Sequence, residues 1–379
     1  MTRFLIVEER ASGHLLVFVR VVAEHALAAG HSVIVALPPS ARASSEFSKH
    51  LSGLLGRVQW LDLVGVVTPA TVNVLARESQ ADVAVVPHGD ELATRYAFSL
   101  GVRPLACAVR LLIMRDPRWE KPAPLQRRFR NAVKLALVRL ASLKRGVEVV
   151  WLREPSFTPG SSTQSFAIDP FIADGSWEAI DAEAAHLRSN LKMHPDVFWF
   201  GMTGAITDRK NLPMVLKSLA LFLEARPDAQ IGFAIIGPIV SDQGLTADWV
   251  RAETSRLDLA LVIVNRLLSN FEMNAAVAAL DAVVMAYSTH SPNSTLGKAH
   301  VLGTRLVAAG PPSVRGFVRA LDAGWESVLE ATAMAENLEL AWEAAPPAKH
   351  PDAIPESGFA RSLLGLESTE SARAGGNDL

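Results

Sequence analysis

Cysteine is almost missing from this sequence: Cys107 is the single one in 379 residues. One thiol excludes an intramolecular disulfide and a cysteine-built zinc site, and it suits a reducing compartment. An excess of charge of one sign is also absent. The 37 basic and 39 acidic residues leave a formal net charge of -2, so nothing global points to nucleic acid. No apolar run reaches the ~18 residues of a membrane span. The opening stretch has four apolar residues, Phe4 to Val7, broken by Glu8-Glu9-Arg10, and is too short for a signal peptide. A cytoplasmic protein is therefore expected. Residues Ala11 to His14 supply one glycine, Gly13, which falls short of the six-position glycine pattern of a dinucleotide site. No solenoid-type repeat is present.

Against these absences, 49% of the residues are hydrophobic and 20% charged, enough for substantial cores in a chain whose length suits two domains. Short apolar runs alternate with amphipathic segments. In the first half the pattern predicts strands at 4–7, 31–37, 58–61 and 82–86, with helices at 16–29, 69–78 and 91–100. After a Ser-, Thr- and Pro-rich loop, 155–164, and an irregular stretch to about Pro195, the alternation restarts. It predicts strands at 197–202, 231–236, 259–264, 282–286 and 306–309, with helices between them. Strands separated by helices at this spacing mean βαβ units and parallel sheets. The expected fold class is α/β, with two Rossmann-like parallel-sheet domains. The domains are placed at 1–170 and 171–365, ahead of a disordered tail, 366–379, rich in Ser and Gly.

Three turns that follow strands hold candidate chemistry, because ligands collect where strand ends meet helix N-termini. The first is Ser12-Gly13-His14, which also reads as a plain strand-to-helix turn. The second runs from Gly201 through Gly204 to Asp208-Arg209-Lys210-Asn211. Adjacent Arg and Lys at a loop mouth suit a diphosphate, the first as a fork and the second as a point charge; two solvated surface cations are the alternative. In the third, Tyr287 to Leu302, residues Asn293, Ser294 and Thr295 can cap a helix whose free N–H groups attract an anion. Capping leaves His290 and Lys298 in that turn unexplained. A fourth segment, His88-Gly89-Asp90-Glu91, opens a helix. Asp90 and Glu91 complement its dipole there, while His88 and Asp90 are candidates for catalysis at an acceptor.

These segments resemble family-4 glycosyltransferases of the GT-B type (glycosyltransferase group 1). The loop from Gly201 to Lys210 is similar to that family's diphosphate clamp. Asp281 to Ala309 is similar to its donor signature of strand, polar turn, helix and Gly-x-x-Leu-Val-Ala. Gly13-His14, with a helix ending Ala-Gly30-His, is similar to its opening. The resemblance implies two domains facing a cleft and a nucleotide-sugar as donor substrate, with no further cofactor. It implies a metal-independent, retaining transfer, with no metal ligands. Donor contacts fall to Gly13, His14, Gly204, Arg209, Lys210, His290, Asn293, Ser294, Thr295 and Lys298. The sequence departs from the family where His290 and Lys298 replace two glutamates, and where the fifth strand, Pro104 to Arg110, lacks a histidine.

The acceptor is a glycan, a lipid-linked molecule or a small molecule. Residues 125–145 form a basic, helical segment with Phe129, Val133, Leu137 and Leu140 near one face. It reads as a solvated helix or as a cationic amphipathic helix on the inner face of an anionic membrane. Aromatics are too sparse among its arginines for nucleic acid. Epimerisation or phosphorolysis on the same fold, and a silent relative acting as a partner protein, are the alternatives to sugar transfer.

Overall fold

A computed structural model of the chain describes residues 1–10, 13–99, 105–114, 125–153, 165–241, 244–289 and 294–366, with backbone alone for 13–14 and 125–127. Among these residues, thirteen strands form two sheets. The first sheet contains β1 (Arg3–Val7), β2 (Ser32–Leu37), β3 (Gln59–Asp62), β4 (Val83–Val86), β5 (Ala108–Ile113), β6 (Val147–Arg153) and β7 (Phe166–Ile168). Its order is β3-β2-β1-β4-β5-β6-β7. The second contains β8 (Phe198–Thr203), β9 (Ile231–Ile236), β10 (Ala260–Val264), β11 (Ala282–Ala286), β12 (Arg305–Ala309) and β13 (Trp325–Ser327), in the order β10-β9-β8-β11-β12-β13. Every pairing is parallel. The cause is local: Phe-Leu-Ile-Val in β1 and Ala-Val-Val-Met-Ala in β11 are apolar on both faces and buried throughout, as strands covered by helices on both sides must be.

Each sheet starts at its centre and turns back once. The chain runs outward through β1, β2 and β3, then returns to place β4 beside β1 (Ile6 opposite Val85). In the second sheet β8, β9 and β10 run outward, and β11 returns beside β8. Each sheet thus has one reversal, β1/β4 in the first and β8/β11 in the second, and α/β sheets bind ligands past the carboxyl ends of strands at such points.

Three expectations are corrected. Residues 165–195 are not irregular: they hold β7 and the helix Trp177–Asn190, whose start is capped by Ser176 Oγ accepting from Ala179 N at 3.2 Å. That helix buries Ile180 and Ala184 and little else, so its apolar period is faint in sequence. The fifth strand starts at Ala108 and runs on to Ile113, later than Pro104 to Arg110, and the residues at its end are Ile113 and Met114. The helix Glu356–Leu364 belongs to the first unit with Met1–Arg153 and β7, while Pro170–Pro355 make the second. Packing decides this. Phe359 lies against Phe18 with ring centroids 4.7 Å apart, and Arg110 on β5 donates to Leu363 O at 2.9 Å and Ser362 O at 3.0 Å. The tail expected to be disordered lies, from 367 on, outside the described residues. Among the described residues no helix is long and apolar enough to cross a membrane.

Candidate functional site

At the end of β8 the chain enters a turn at Gly204, whose φ of +75° favours glycine. A side chain on Gly237, after β9, would place Cβ 2.3 Å from the Gly204 carbonyl oxygen, so the two turns meet backbone to backbone. The short 3-10 turn Asp208–Lys210 follows, and Asn211, left-handed at φ +46°, starts the helix Leu212–Ala225. This geometry folds Lys210 inward. It is 5% exposed, and its ammonium donates to the carbonyl of Thr203. Burial, with the adjacent Arg209 charge second, pulls its pKa down to about 7. Both effects disfavour the cation. No carboxylate among the described residues pairs with it, and Asp208 instead accepts from Ser241 Oγ. Two hydroxyl oxygens of the same segment, Thr203 Oγ1 and Thr207 Oγ1, are buried without hydrogen-bond partners.

Across the reversal, the Arg209 guanidinium lies 5.6 Å from the Tyr287 ring centroid. The Arg209 carbonyl accepts from Ser288 N at 2.8 Å and Ser288 Oγ at 3.2 Å. The structure thus joins the turn after β8 to the end of β11. His290 and Asn293 lie outside the described residues. Ser294, exposed, begins the helix Ser294–Leu302, and Thr295 is buried in its first turn.

Lys298, on the same helix, has a different setting. It is buried, donates to Asn270 Oδ1 at 2.8 Å and to Asn274 Oδ1, and lies 5.2 Å from the Phe171 ring centroid. The two asparagine amides in turn hold the carbonyls of Ile172 and Ala173. Lys298 therefore closes a network that fastens the start of the second unit to the helix Asn270–Ala278. The diphosphate contact expected of it has to compete with these bonds.

In the first unit, Gly13 and His14 open the helix Gly13–Ala28, and the His14 side chain lies outside the described residues. His88 follows β4. It is half-buried with Nδ1 unpartnered, and burial first, then Arg10, lowers its pKa, which favours the neutral imidazole. Gly89 must be glycine, since a Cβ there would lie 2.8 Å from Leu111 Cβ. Asp90, read as catalytic, has both oxygens occupied. Oδ2 accepts from Met114 N at 2.9 Å and Oδ1 from Lys134 Nζ at 2.6 Å. It bolts the helix Asp90–Phe98 to the end of β5 and to the helix Leu125–Ser142, so its carboxylate is spent on structure.

One residue escaped the sequence reading. Glu8, directly after β1, is 1% exposed. Its amide continues the ladder to Ala36 O at 3.2 Å, and its Oε1 accepts from Arg10 N at 2.9 Å. Oε2 is buried without a partner. Burial, outweighing the Arg10 amide, raises its pKa to about 7. The available signal was a charge set immediately behind a fully apolar strand.

With two all-parallel sheets, each turning back once, the chain has the GT-B fold. Solved structures agree. Anabaena Alr3699/HepE in complex with UDP and glucose shares 13% identity over all of both chains, with a TM-score of 0.61. A glycosyltransferase from Rickettsia africae is 10% identical over 97% of this chain and 95% of that one, with a TM-score of 0.60. The UDP-GlcNAc 2-epimerase from Methanocaldococcus jannaschii is 10% identical over 96% and 99%, with a TM-score of 0.53. No family model matches the sequence, and no curated protein matches it.

Proposed function

We propose that the protein is a glycosyltransferase that takes a sugar from a nucleotide-sugar donor bound at the β8/β11 reversal. The observation that carries this reading is Lys210: an ammonium buried beside a second cation, with no carboxylate among the described residues to balance it. A buried charge without a counter-ion is costly. A diphosphate supplies that counter-ion and restores the ammonium to full charge. The partnerless Thr203 and Thr207 hydroxyls offer it hydrogen bonds. As the sugar–phosphate bond breaks, negative charge grows on the diphosphate, and cations already held in place stabilise it without reorganisation. A single such group is typically worth ~3 kcal/mol. His88 supplies a neutral imidazole for an acceptor hydroxyl in the first unit.

Thermal unfolding against a panel of nucleoside diphosphates and nucleotide-sugars tests this. Ligand at 100 times its Kd adds about 2.7 kcal/mol, and Lys210→Met should abolish the shift. A folded protein that no nucleotide stabilises would overturn the donor reading and favour a silent relative. Conversion of a nucleotide-sugar to its epimer without acceptor would favour epimerisation instead.

A lipid-linked acceptor is favoured by the helix Leu125–Ser142. Its inner stripe, Leu135, Val138 and Ala141, packs on the core. The opposite stripe carries Phe129, Val133 and Leu140, with Leu143 just beyond the helix, and Phe129 and Leu143 are 74% and 80% exposed. Arg128, Arg130, Arg139 and Arg145 are exposed around them. An outward apolar stripe bordered by arginines is matched to an anionic lipid surface.

A further inference from the structure

The pairing of β8 with β11 stops early. It ends with Gly201 opposite Val283, although β8 runs on to Thr203 and β11 to Ala286. Over those last residues each strand stays in its outer ladder, with Thr203 opposite Ile236 on β9 and Ala286 opposite Ala309 on β12. The sheet therefore splits at its own reversal, and every residue concerned belongs to the second unit. Past the split, the turn Asp208–Lys210 is fastened on both sides. On the β8 side the Lys210 ammonium donates to the Thr203 carbonyl, and Ser241 Oγ donates to Asp208. On the β11 side the Arg209 carbonyl accepts from Ser288 N and Ser288 Oγ. Tyr287 is 2% exposed and tied to β12 by its amide, which donates to Ala309 O at 2.9 Å. Its ring, fixed in this way, lies 5.6 Å from the Arg209 guanidinium. The two residues that end β11 thus hold both the backbone and the side chain of Arg209. That guanidinium belongs to a half-exposed residue, within reach of a ligand, whereas the Lys210 ammonium next to it is buried.

We propose that Tyr287 and Ser288 are positioning residues, which hold Arg209 past the split and make the site prefer a nucleoside diphosphate to a monophosphate. This rests on the donor reading above. An arginine on a mobile side chain loses much of its binding energy to ordering, and one held in advance keeps it. The Tyr287 face attracts the cation and fixes the plane of the fork. A planar fork then gives two parallel hydrogens to one phosphoryl group. A monophosphate that reaches the inner ammonium leaves this outer fork unused. A second phosphoryl group extends from the ammonium to the fork, so the preference depends on where Arg209 is held.

Calorimetric titration of the full chain with the di- and monophosphates of uridine, guanosine and adenosine tests this. For the base that binds, wild type should hold the diphosphate about 10-fold more tightly than the monophosphate, or better. Tyr287→Leu should weaken the diphosphate roughly 5-fold or more and leave the monophosphate unchanged. Tyr287→Phe, which keeps the ring, should bind both as wild type does. Arg209→Ala should show the same selective loss, and adding Tyr287→Leu to it should cost nothing further, as expected of a residue that acts through Arg209. If Tyr287→Leu does not fold, Ser288→Pro serves. It lies at an exposed position, removes both hydrogens given to Arg209 O, and should also weaken the diphosphate alone. Equal binding of the two phosphates by wild type overturns the proposal and leaves the donor reading standing. So does a Tyr287→Leu loss that is equal for both phosphates or that adds in full to that of Arg209→Ala. If no nucleotide binds the folded wild type, the donor reading itself fails and takes the proposal with it.

Discussion

Lys210 reaches back across seven residues to give a hydrogen to the carbonyl of Thr203. That bond turns the segment between them into a closed loop with its cation on the inside. It also draws the ammonium out of water, which is why burial dominates its pKa. A similar inversion sits in the first unit, where Glu8 is closed in by Arg10 N. The two reversals of the fold therefore present opposite characters, a cation short of an anion and a carboxyl short of a partner.

Lys210 should make the fold more stable as pH rises. Its folded pKa of about 7 lies below the ordinary lysine value of 10.5, so between those limits the unfolded chain binds more protons and stability increases with pH. Lys210→Met should flatten that rise, by an amount on the order of a few kcal/mol. Chemical denaturation at pH 7 and pH 9.5 measures it. Diphosphate binding at pH 8 should also take up a proton, read by calorimetry in buffers of different ionisation enthalpy.

Glu8 should act with the opposite sign in a lower window. Its pKa rises on folding from 4.5 to about 7, so the folded state binds more protons there and stability falls as pH climbs through that range. Glu8→Gln should match the wild type below pH 4.5 and exceed it at pH 8. Equal loss at both pH values would mean that the side chain only fills space.

Lys298→Ala should cost stability, roughly 2–4 kcal/mol, because the oxygens of buried Asn274 and half-buried Asn270 lose their donor. Any nucleotide-induced shift should persist in the folded fraction. Loss of the shift without loss of stability would return Lys298 to the donor site.

Phe129→Ser combined with Leu143→Ser should leave the unfolding free energy within about 0.5 kcal/mol of wild type, as exposed positions do. Sedimentation with vesicles containing about 30% anionic phospholipid should fall several-fold. High salt should weaken the wild type in the same assay.

Local pattern was enough for most of the strands, though not for β6, β7 and β13 or for the bounds of β5. Apolar runs such as Phe4–Val7 and Ala282–Ala286 announce buried parallel strands because both faces are covered, and their spacing announces the helices between them. The motif around Arg209 and Lys210 was legible for a similar reason, since the turn, the glycine and the cations are neighbours in the chain. The helix Trp177–Asn190 was not, because it buries too few residues to leave a period. Nor did the sequence alone separate Lys210, set against Thr203, from Lys298, locked between Asn270 and Asn274.

What the sequence determined by itself was therefore whatever depends on residues close in the chain: an α/β architecture, two parallel sheets, and polar turns at strand ends. Tertiary structure alone decided burial and pairing. It sent the helix Glu356–Leu364 back to the first unit, set Asp90 between Met114 and Lys134, and left Glu8 with one oxygen unpartnered. Desolvation and counter-charge are summed over every neighbour in space, and those neighbours come from segments tens to hundreds of residues away.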